Sequence, residues 1–143
     1  MKKFVVDASV ALKWLINEDY SDRAKLLLLR FGSGLVELYA PELLKLEVAN
    51  GLRKYFVKKL ISEEQLITLY SLFFDIDIEY INHSIDLIID SIKYAIVNDV
   101  TFYDALYIVL AKNMNGLFIT ADDKLMRKIR DKENIIIHIK DYK

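Results

Sequence analysis

The sequence predicts an α/β fold: a central, mainly parallel sheet of about five strands with helices packed on both faces. Three observations predict it. Five runs of strand length recur along the chain, and helical patterns separate them. The runs Phe4-Val5-Val6, Leu117-Phe118-Ile119 and Ile135-Ile136-Ile137 are apolar throughout rather than alternating. A continuously apolar strand is buried on both faces, which is the situation of a parallel sheet between helical layers. Strand–helix alternation supplies the crossovers such a sheet needs.

Lys3 to Asp7 reads as the first strand. Ser9 to Ile16 follows with helical spacing, placing Val10, Trp14 and Leu15 on one face, and Asn17-Glu18-Asp19 breaks it. Ser21 to Phe31 reads as a second helix with Ala24, Leu27 and Leu28 inward, stopped by the turn Gly32-Ser33-Gly34. Val36 to Ala40 is a second strand. Pro41 is placed to open a long helix reaching about Lys59, because a first-turn proline sacrifices no helical hydrogen bond. Ser62 and Gln65 have capping-box spacing for a helix ending near Phe74. Asp75 to Ile81 alternates apolar and acidic residues and reads as a strand. Asn82 or Ser84 caps a helix to about Val97, and Thr101 to Met114 forms another, closed by Asn115-Gly116. Leu117 to Ala121 is a strand, Asp123 to Asp131 a helix, and Ile135 to Ile139 the last strand.

Composition narrows the function. The chain has 143 residues, of which 54% are hydrophobic, enough to bury one core. We read residues 1–143 as one domain, since 4 Gly and 1 Pro leave little material for linkers. No cysteine is present, which excludes disulfides, thiol catalysis and Cys-ligated zinc. His83 and His138 are the only histidines, which argues against a histidine-rich metal site. The net charge of −1 is not that of a nucleic-acid coat protein. A nuclease remains compatible, because bound cations and a local basic rim offset substrate phosphates. No segment reads as a signal peptide or a membrane span, so the expected location is the cytoplasm.

Four acids stand where strands give way to helices or on a helix face: Asp7, Glu47, Asp104 and Asp122. In open α/β sheets ligands bind beyond the carboxyl ends of the strands, where the strand order reverses. Asp7 and Asp122 both follow strands. Each acid also has a local structural reading. Asp7 can turn the chain into the first helix. Thr101 and Asp104 have capping-box spacing, and Asp122 or Asp123 can cap a helix. Glu47 shares a helical strip with Leu43, Asn50 and Lys54, beside the apolar stripe of Leu44, Val48, Leu52 and Tyr55. It can face either solvent or a site.

The combination resembles the PIN-domain ribonucleases, and most closely the VapC-type toxins of toxin–antitoxin pairs. Four motifs in this order carry the resemblance across essentially the whole chain. They are Val5-Val6-Asp7-Ala8-Ser9, Pro41-Glu42-Leu43 through Glu47-Val48-Ala49-Asn50, Thr101-Phe102-Tyr103-Asp104-Ala105-Leu106-Tyr107, and Leu117-Phe118-Ile119-Thr120-Ala121-Asp122. The resemblance implies a three-layer α/β/α sandwich and a Mg²⁺ site, with Mn²⁺ able to substitute. Asp7, Glu47, Asp104 and Asp122 match the family's acidic positions. Ser9, Asn50 and Thr120 match polar supporting positions, and Asp123 is an adjacent acid.

By the same resemblance the chain is expected to be an endoribonuclease, with RNA as substrate, a VapB-like antitoxin as partner and a homodimer as the assembly. Metal-activated water is the chemistry open to a site without a usable Cys or His. Phosphate contacts need a basic approach, for which Lys13, Lys54 and Arg127 are the candidates nearest the acids in sequence. The Leu26–Leu29 run and the Leu60–Phe74 stretch carry more apolar residues than one helix face buries, which suits a protein partner. A housekeeping PIN nuclease shares every one of these residues. A phospho-acceptor receiver domain would need an acidic pair after the first strand, and this chain has Asp7 alone. A non-catalytic RNA-binding module is opposed by the retention of all four acids.

Overall fold

The computed structural model describes residues 1–143. Five strands form one sheet: β1 (Lys2–Val6), β2 (Val36–Pro41), β3 (Glu79–Ile81), β4 (Leu117–Thr120) and β5 (Ile136–His138). Seven helices connect and cover them: α1 (Ala8–Leu15), α2 (Ser21–Gly32), α3 (Leu43–Val57), α4 (Glu63–Phe74), α5 (Ile85–Asn98), α6 (Phe102–Asn113) and α7 (Asp123–Ile129). The strand order is β3-β2-β1-β4-β5, and every pairing is parallel. The chain works outward from β1 to one edge, then returns to the other side of β1. The order therefore reverses between β1 and β4, the two strands that deliver Asp7 and Asp122.

Side-chain alternation along β1 builds the layers. Phe4 and Val6 point to one face, where Val10 and Trp14 of α1, Leu27 of α2 and Leu44, Val48 and Leu52 of α3 meet them. Val5 points to the other face, against Leu106 and Val109 of α6 and Leu125 and Ile129 of α7. Val5, Val6, Leu44 and Val48 are fully buried. Helix α6 is enclosed along its length from Ala105 to Ala111. No single helix is long and apolar enough to cross a membrane.

Three boundaries differ from the sequence reading. Pro41 does not open α3; it ends β2, in register with Ile81, and Glu42 donates its N–H to Ile81 O at 3.2 Å. Proline has no N–H to give the ladder, and the last strand position tolerates that. The expected strand over Asp75–Ile81 shrinks to Glu79–Ile81. Its alternation is broken by a turn in which Ile78 donates to Ile76 O at 2.9 Å. The last strand stops at His138, whose side chain accepts from Lys140 N and starts a 3-10 turn over Ile139–Asp141.

The expected caps form. Ser62 and Gln65 complete a reciprocal box at α4, Ser84 caps α5, and Asn115 adopts the left-handed conformation after α6. The C-terminus is tied down: Arg23 donates to Lys140 O, and Arg30 reaches Tyr142 Oη and Lys143 O. Tyr142 itself packs edge-on against Phe4 with ring centroids 5.6 Å apart.

Candidate active site

All four predicted acids line one cleft of about 350 Å³ at the switch point of the sheet. Each arrives on a different element. Asp7 follows β1 and caps α1, with extended backbone at φ −105° and ψ 179°. Glu47 comes from the second turn of α3. Asp104 sits in the first turn of α6, and Asp122 follows β4 and caps α7, accepting from Leu125 N at 3.0 Å. The structural roles foreseen for Asp7 and Asp122 are thus real, and the same residues still reach the cleft. At α6, Thr101 accepts from Asp104 N at 3.1 Å, which seats the helix start and leaves the Asp104 carboxylate at the cleft wall.

Asp7 is the most constrained of the four. Ser9 Oγ donates to its Oδ1 and Thr120 Oγ1 to its Oδ2, each at 2.5 Å, and Val10 N adds a longer bond of 3.3 Å. Both hydroxyls are themselves anchored. Ser9 Oγ accepts from Ala121 N at 2.8 Å, and Thr120 Oγ1 accepts from Asp122 N at 3.1 Å. Each hydroxyl has one proton, and each gives it to Asp7. The 3.3 Å approach of Ser9 Oγ to Thr120 Oγ1 is therefore a contact between two acceptors rather than a further bond. Asp7 and the β4–α7 junction become one hydrogen-bonded unit.

Glu47 is held from the opposite layer. Tyr107 of α6 donates its hydroxyl to Glu47 Oε1 at 2.5 Å. The ring of Tyr107 is buried and stacked on Phe118, centroids 5.6 Å apart and planes within 15°. Helical spacing alone assigns Tyr107 to the core. It is core by its ring and part of the site by its hydroxyl. The available signal was Tyr107 one turn after Asp104, hence on the same helix face.

Burial governs the electrostatics. Desolvation pushes the Asp7 carboxyl up to about 6, against the lowering effect of its Ser9, Thr120 and Val10 bonds and with a further push from Glu47. Glu47 is raised by burial and by Asp104, opposed by Tyr107. Asp104 is raised by burial and by Asp122, opposed by Thr101 and Lys128. Burial and the neighbouring carboxylates drive the Tyr107 hydroxyl far upward, so it remains a donor. The acids thus feel one another in sequence, Asp7 to Glu47 to Asp104 to Asp122, as a line of carboxylates in one cleft.

The donor set is all oxygen, which suits a hard divalent cation. No three carboxylates converge into a ready-made ligand cage. A hard cation there would take one or two carboxylates directly and reach the others through water.

The remaining predicted residues divide. Ser9 and Thr120 hold Asp7 as described. Asn50 and Lys54 line the cleft wall from α3. Asp123 turns aside, with Oδ1 2.9 Å from Nε2 of His138. His138 Nδ1 accepts from Lys140 N, which leaves Nε2 as the ring nitrogen on the Asp123 side. Lys13 does not reach the cleft: it is buried, with Nζ 3.6 Å from Glu18. Glu18 lies beyond the C-terminal end of α1, the end opposite Asp7, and proximity in sequence does not reveal that pairing. Arg127 lies outside the cleft lining, and Lys128, one residue on, is the α7 cation whose charge acts on Asp104.

The chain is similar to known proteins along most of its length. The PIN domain family model matches residues 4–132. The chain is 31% identical to ribonuclease VapC3 of Pyrobaculum aerophilum over 127 residues, covering 88% of this chain and 94% of that one. It is 40% identical to ribonuclease VapC1 of Mycobacterium tuberculosis over 87 residues, 60% of this chain and 63% of the relative. Among solved structures, VapBC2 of Rickettsia felis bound to a DNA fragment from its promoter superposes with a TM-score of 0.67 at 14% identity, covering 95% and 98% of the two chains. That likeness is one of fold.

Proposed function

Because this chain belongs to the PIN-domain family, we propose that it is a Mg²⁺-dependent endoribonuclease, the toxin half of a toxin–antitoxin pair, acting in the cytoplasm as one domain over residues 1–143. The observation that carries the reading is the meeting of Asp7, Glu47, Asp104 and Asp122, from four separate elements, in one cleft at the switch point. Structural capping alone would explain Asp7, Asp104 and Asp122 one at a time. It does not explain why three buried or half-buried carboxyls stand unpaired with any cation within bonding distance. Named relatives are ribonucleases, and structural neighbours include toxin–antitoxin complexes. These support both halves of the reading.

In this reading Asp7 and Asp104 would hold the cation directly, and Glu47 and Asp122 would hold it directly or through water. When bound, Mg²⁺ lowers the pKa of a water and draws charge from the scissile phosphate. Ser9 and Thr120 fix the orientation of the Asp7 carboxylate, so no rotamer search precedes binding. Tyr107 does the same for Glu47. Lys54 at the cleft wall and Lys128 near Asp104 are the cations placed to receive substrate phosphates. Hydrolysis joins the water oxygen to phosphorus and breaks the bond to the 3′ oxygen, which leaves as a hydroxyl. A cognate antitoxin restrains the enzyme by covering the cleft, and a basic group on it would pair with the carboxylates.

The test is cleavage of end-labelled structured RNA with Mg²⁺, Mn²⁺ or EDTA, beside Asp104→Asn. Metal-dependent cutting that the variant loses is the expected result. Cutting that persists in the variant, or in EDTA, would remove Asp104 and the metal from the mechanism.

A further inference from the structure

One residue of the cleft lining is a glycine inside a helix. Gly51 stands in the interior of α3, one turn after Glu47 and so on the same face. Glycine weakens a helix interior relative to alanine, so its presence there calls for a reason. The reason is Leu12 of α1. A Cβ built on Gly51 would lie 2.5 Å from Leu12 Cδ1, 3.2 Å from Cδ2 and 3.3 Å from Cγ. The first of these falls roughly 1 Å short of an ordinary carbon–carbon separation. Leu12 fills the notch that the missing Cβ leaves, and α1 packs on α3 there.

That contact lies beside the acids on both helices. Leu12 comes one turn after Ala8, the neighbour of Asp7, and Gly51 comes one turn after Glu47. Leu12 and Gly51 line the cleft together with those two acids. Asp7 caps α1 and Glu47 rides on α3, so the spacing of the helices sets the spacing of the carboxylates. The charge of Glu47 already acts on Asp7 across this gap. A Cβ at position 51 leaves the structure two responses. The helices part, or the Leu12 side chain turns away. Leu12 has the core on its inner side and the cleft on its open side, so turning away carries it into the cleft. Both responses disturb the space between Asp7 and Glu47.

We infer that Gly51 is a positioning residue: by admitting Leu12 against the backbone of α3, it fixes the spacing of α1 and α3 at which Asp7 and Glu47 act on one cation. This rests on the proposed metal site and names what sets its width.

The test is titration calorimetry of Mg²⁺ into the full chain, with thermal melts to verify folding. Gly51→Ala should raise the Mg²⁺ Kd about tenfold or more, since a site displaced by more than about 0.5 Å loses its productive geometry. Leu12→Ala alone leaves the notch open and should bind as the wild type does. The double variant should recover wild-type affinity, because the new methyl then has room. In the Gly51→Ala background, Kd should fall stepwise as residue 12 shortens from Leu to Val to Ala; the two shorter variants still show that order if the first does not fold. Gly32→Ala, whose new Cβ has nothing within 4 Å, is the control and should leave Kd unchanged. A folded Gly51→Ala protein that binds Mg²⁺ as tightly as the wild type would overturn the inference, whatever its melting temperature. A double variant that stays as weak as the single one would overturn it equally. A wild type that binds no Mg²⁺ would end the functional reading and this inference together, whereas one that binds Mg²⁺ and cuts no RNA would end the functional reading alone.

Discussion

Asp7→Asn should stabilise the metal-free protein at neutral pH, although it removes a residue central to the proposed site. Burial raises the Asp7 carboxyl from 3.8 to about 6. A native state that holds its proton more tightly than the unfolded chain loses stability as pH rises between the two values. The stabilising proton is fully present below about pH 4 and gone above about pH 6. Losing that proton costs the native state about 3 kcal/mol by pH 7.5. Asparagine has no charge to desolvate. It keeps one acceptor for Ser9 or Thr120 and presents an amide to the other, at a cost of about 1 kcal/mol for the poorer hydrogen bond. The net gain is about 2 kcal/mol, or roughly 6 °C in Tm for a chain of this size.

Thermal melts of both proteins in EDTA from pH 4 to pH 8 check this. Their difference should be near zero or slightly unfavourable to the variant at pH 4, and should grow in its favour through pH 6. Adding Mg²⁺ at about a hundredfold excess over Kd should return roughly 2.7 kcal/mol to the wild type and little to the variant. A variant less stable than wild type at pH 7.5 in EDTA, with a difference that does not change with pH, would refute this reasoning. Asp7 would then be a structural cap whose carboxylate the fold accommodates without strain.

Tyr107→Phe should keep the ring stacked on Phe118 while freeing Glu47, weakening Mg²⁺ binding and slowing RNA cleavage about tenfold, in proportion to a charge-assisted hydrogen bond of about 1.5 kcal/mol; titration calorimetry and cleavage rates should move together, and unchanged metal affinity would make Tyr107 purely core. Gly116→Ala should destabilise by about 1–3 kcal/mol in urea unfolding, because the new Cβ would lie 2.9 Å from the carbonyl oxygen of Lys3 in β1, where backbone cannot yield cheaply. Tyr142→Ala should cost about 3 kcal/mol by removing the buried ring that bridges Phe4 and Arg30, and an undisturbed melt would show the C-terminal tie to be ornamental.

What the sequence made legible was whatever depends on neighbours in the chain. Continuous apolar runs identified β1, β4 and β5, and the Ser62–Gln65 spacing located the start of α4. The acids were legible because each sits at an element boundary or beside an apolar helix stripe. Pro41 was misplaced since its preference for a helix start is local, whereas its actual position is set by pairing with Ile81, forty residues on. Lys13 was misjudged for a related reason. Sequence proximity to Asp7 says nothing of its approach to Glu18, which the break after α1 brings back alongside. Tyr107 reaching Glu47 depends on α3 and α6 meeting across the end of the sheet, a contact between residues sixty apart. No local pattern encodes it.

The hydrogen bonds divide the cleft into two halves. Ser9 and Thr120 bind Asp7 while accepting from the backbone of Ala121 and Asp122, so Asp7 is tied to β4 and the start of α7. Tyr107 binds Glu47 from the same helix that carries Asp104, so Glu47 and Asp104 form the second piece. No hydrogen bond joins Asp7 or Asp122 to Glu47 or Asp104. Each half orders two carboxylates, and the repulsion between the halves is left unrelieved by any protein cation in contact. That is the arrangement expected of a site whose missing positive charge comes from outside. An internal lysine between the halves would have stabilised the fold and closed the cleft to a cation. The raised Asp7 carboxyl is the energetic mark of that arrangement: burial and the Glu47 charge act on a carboxylate that only hydrogen bonds from Ser9, Thr120 and Val10 offset.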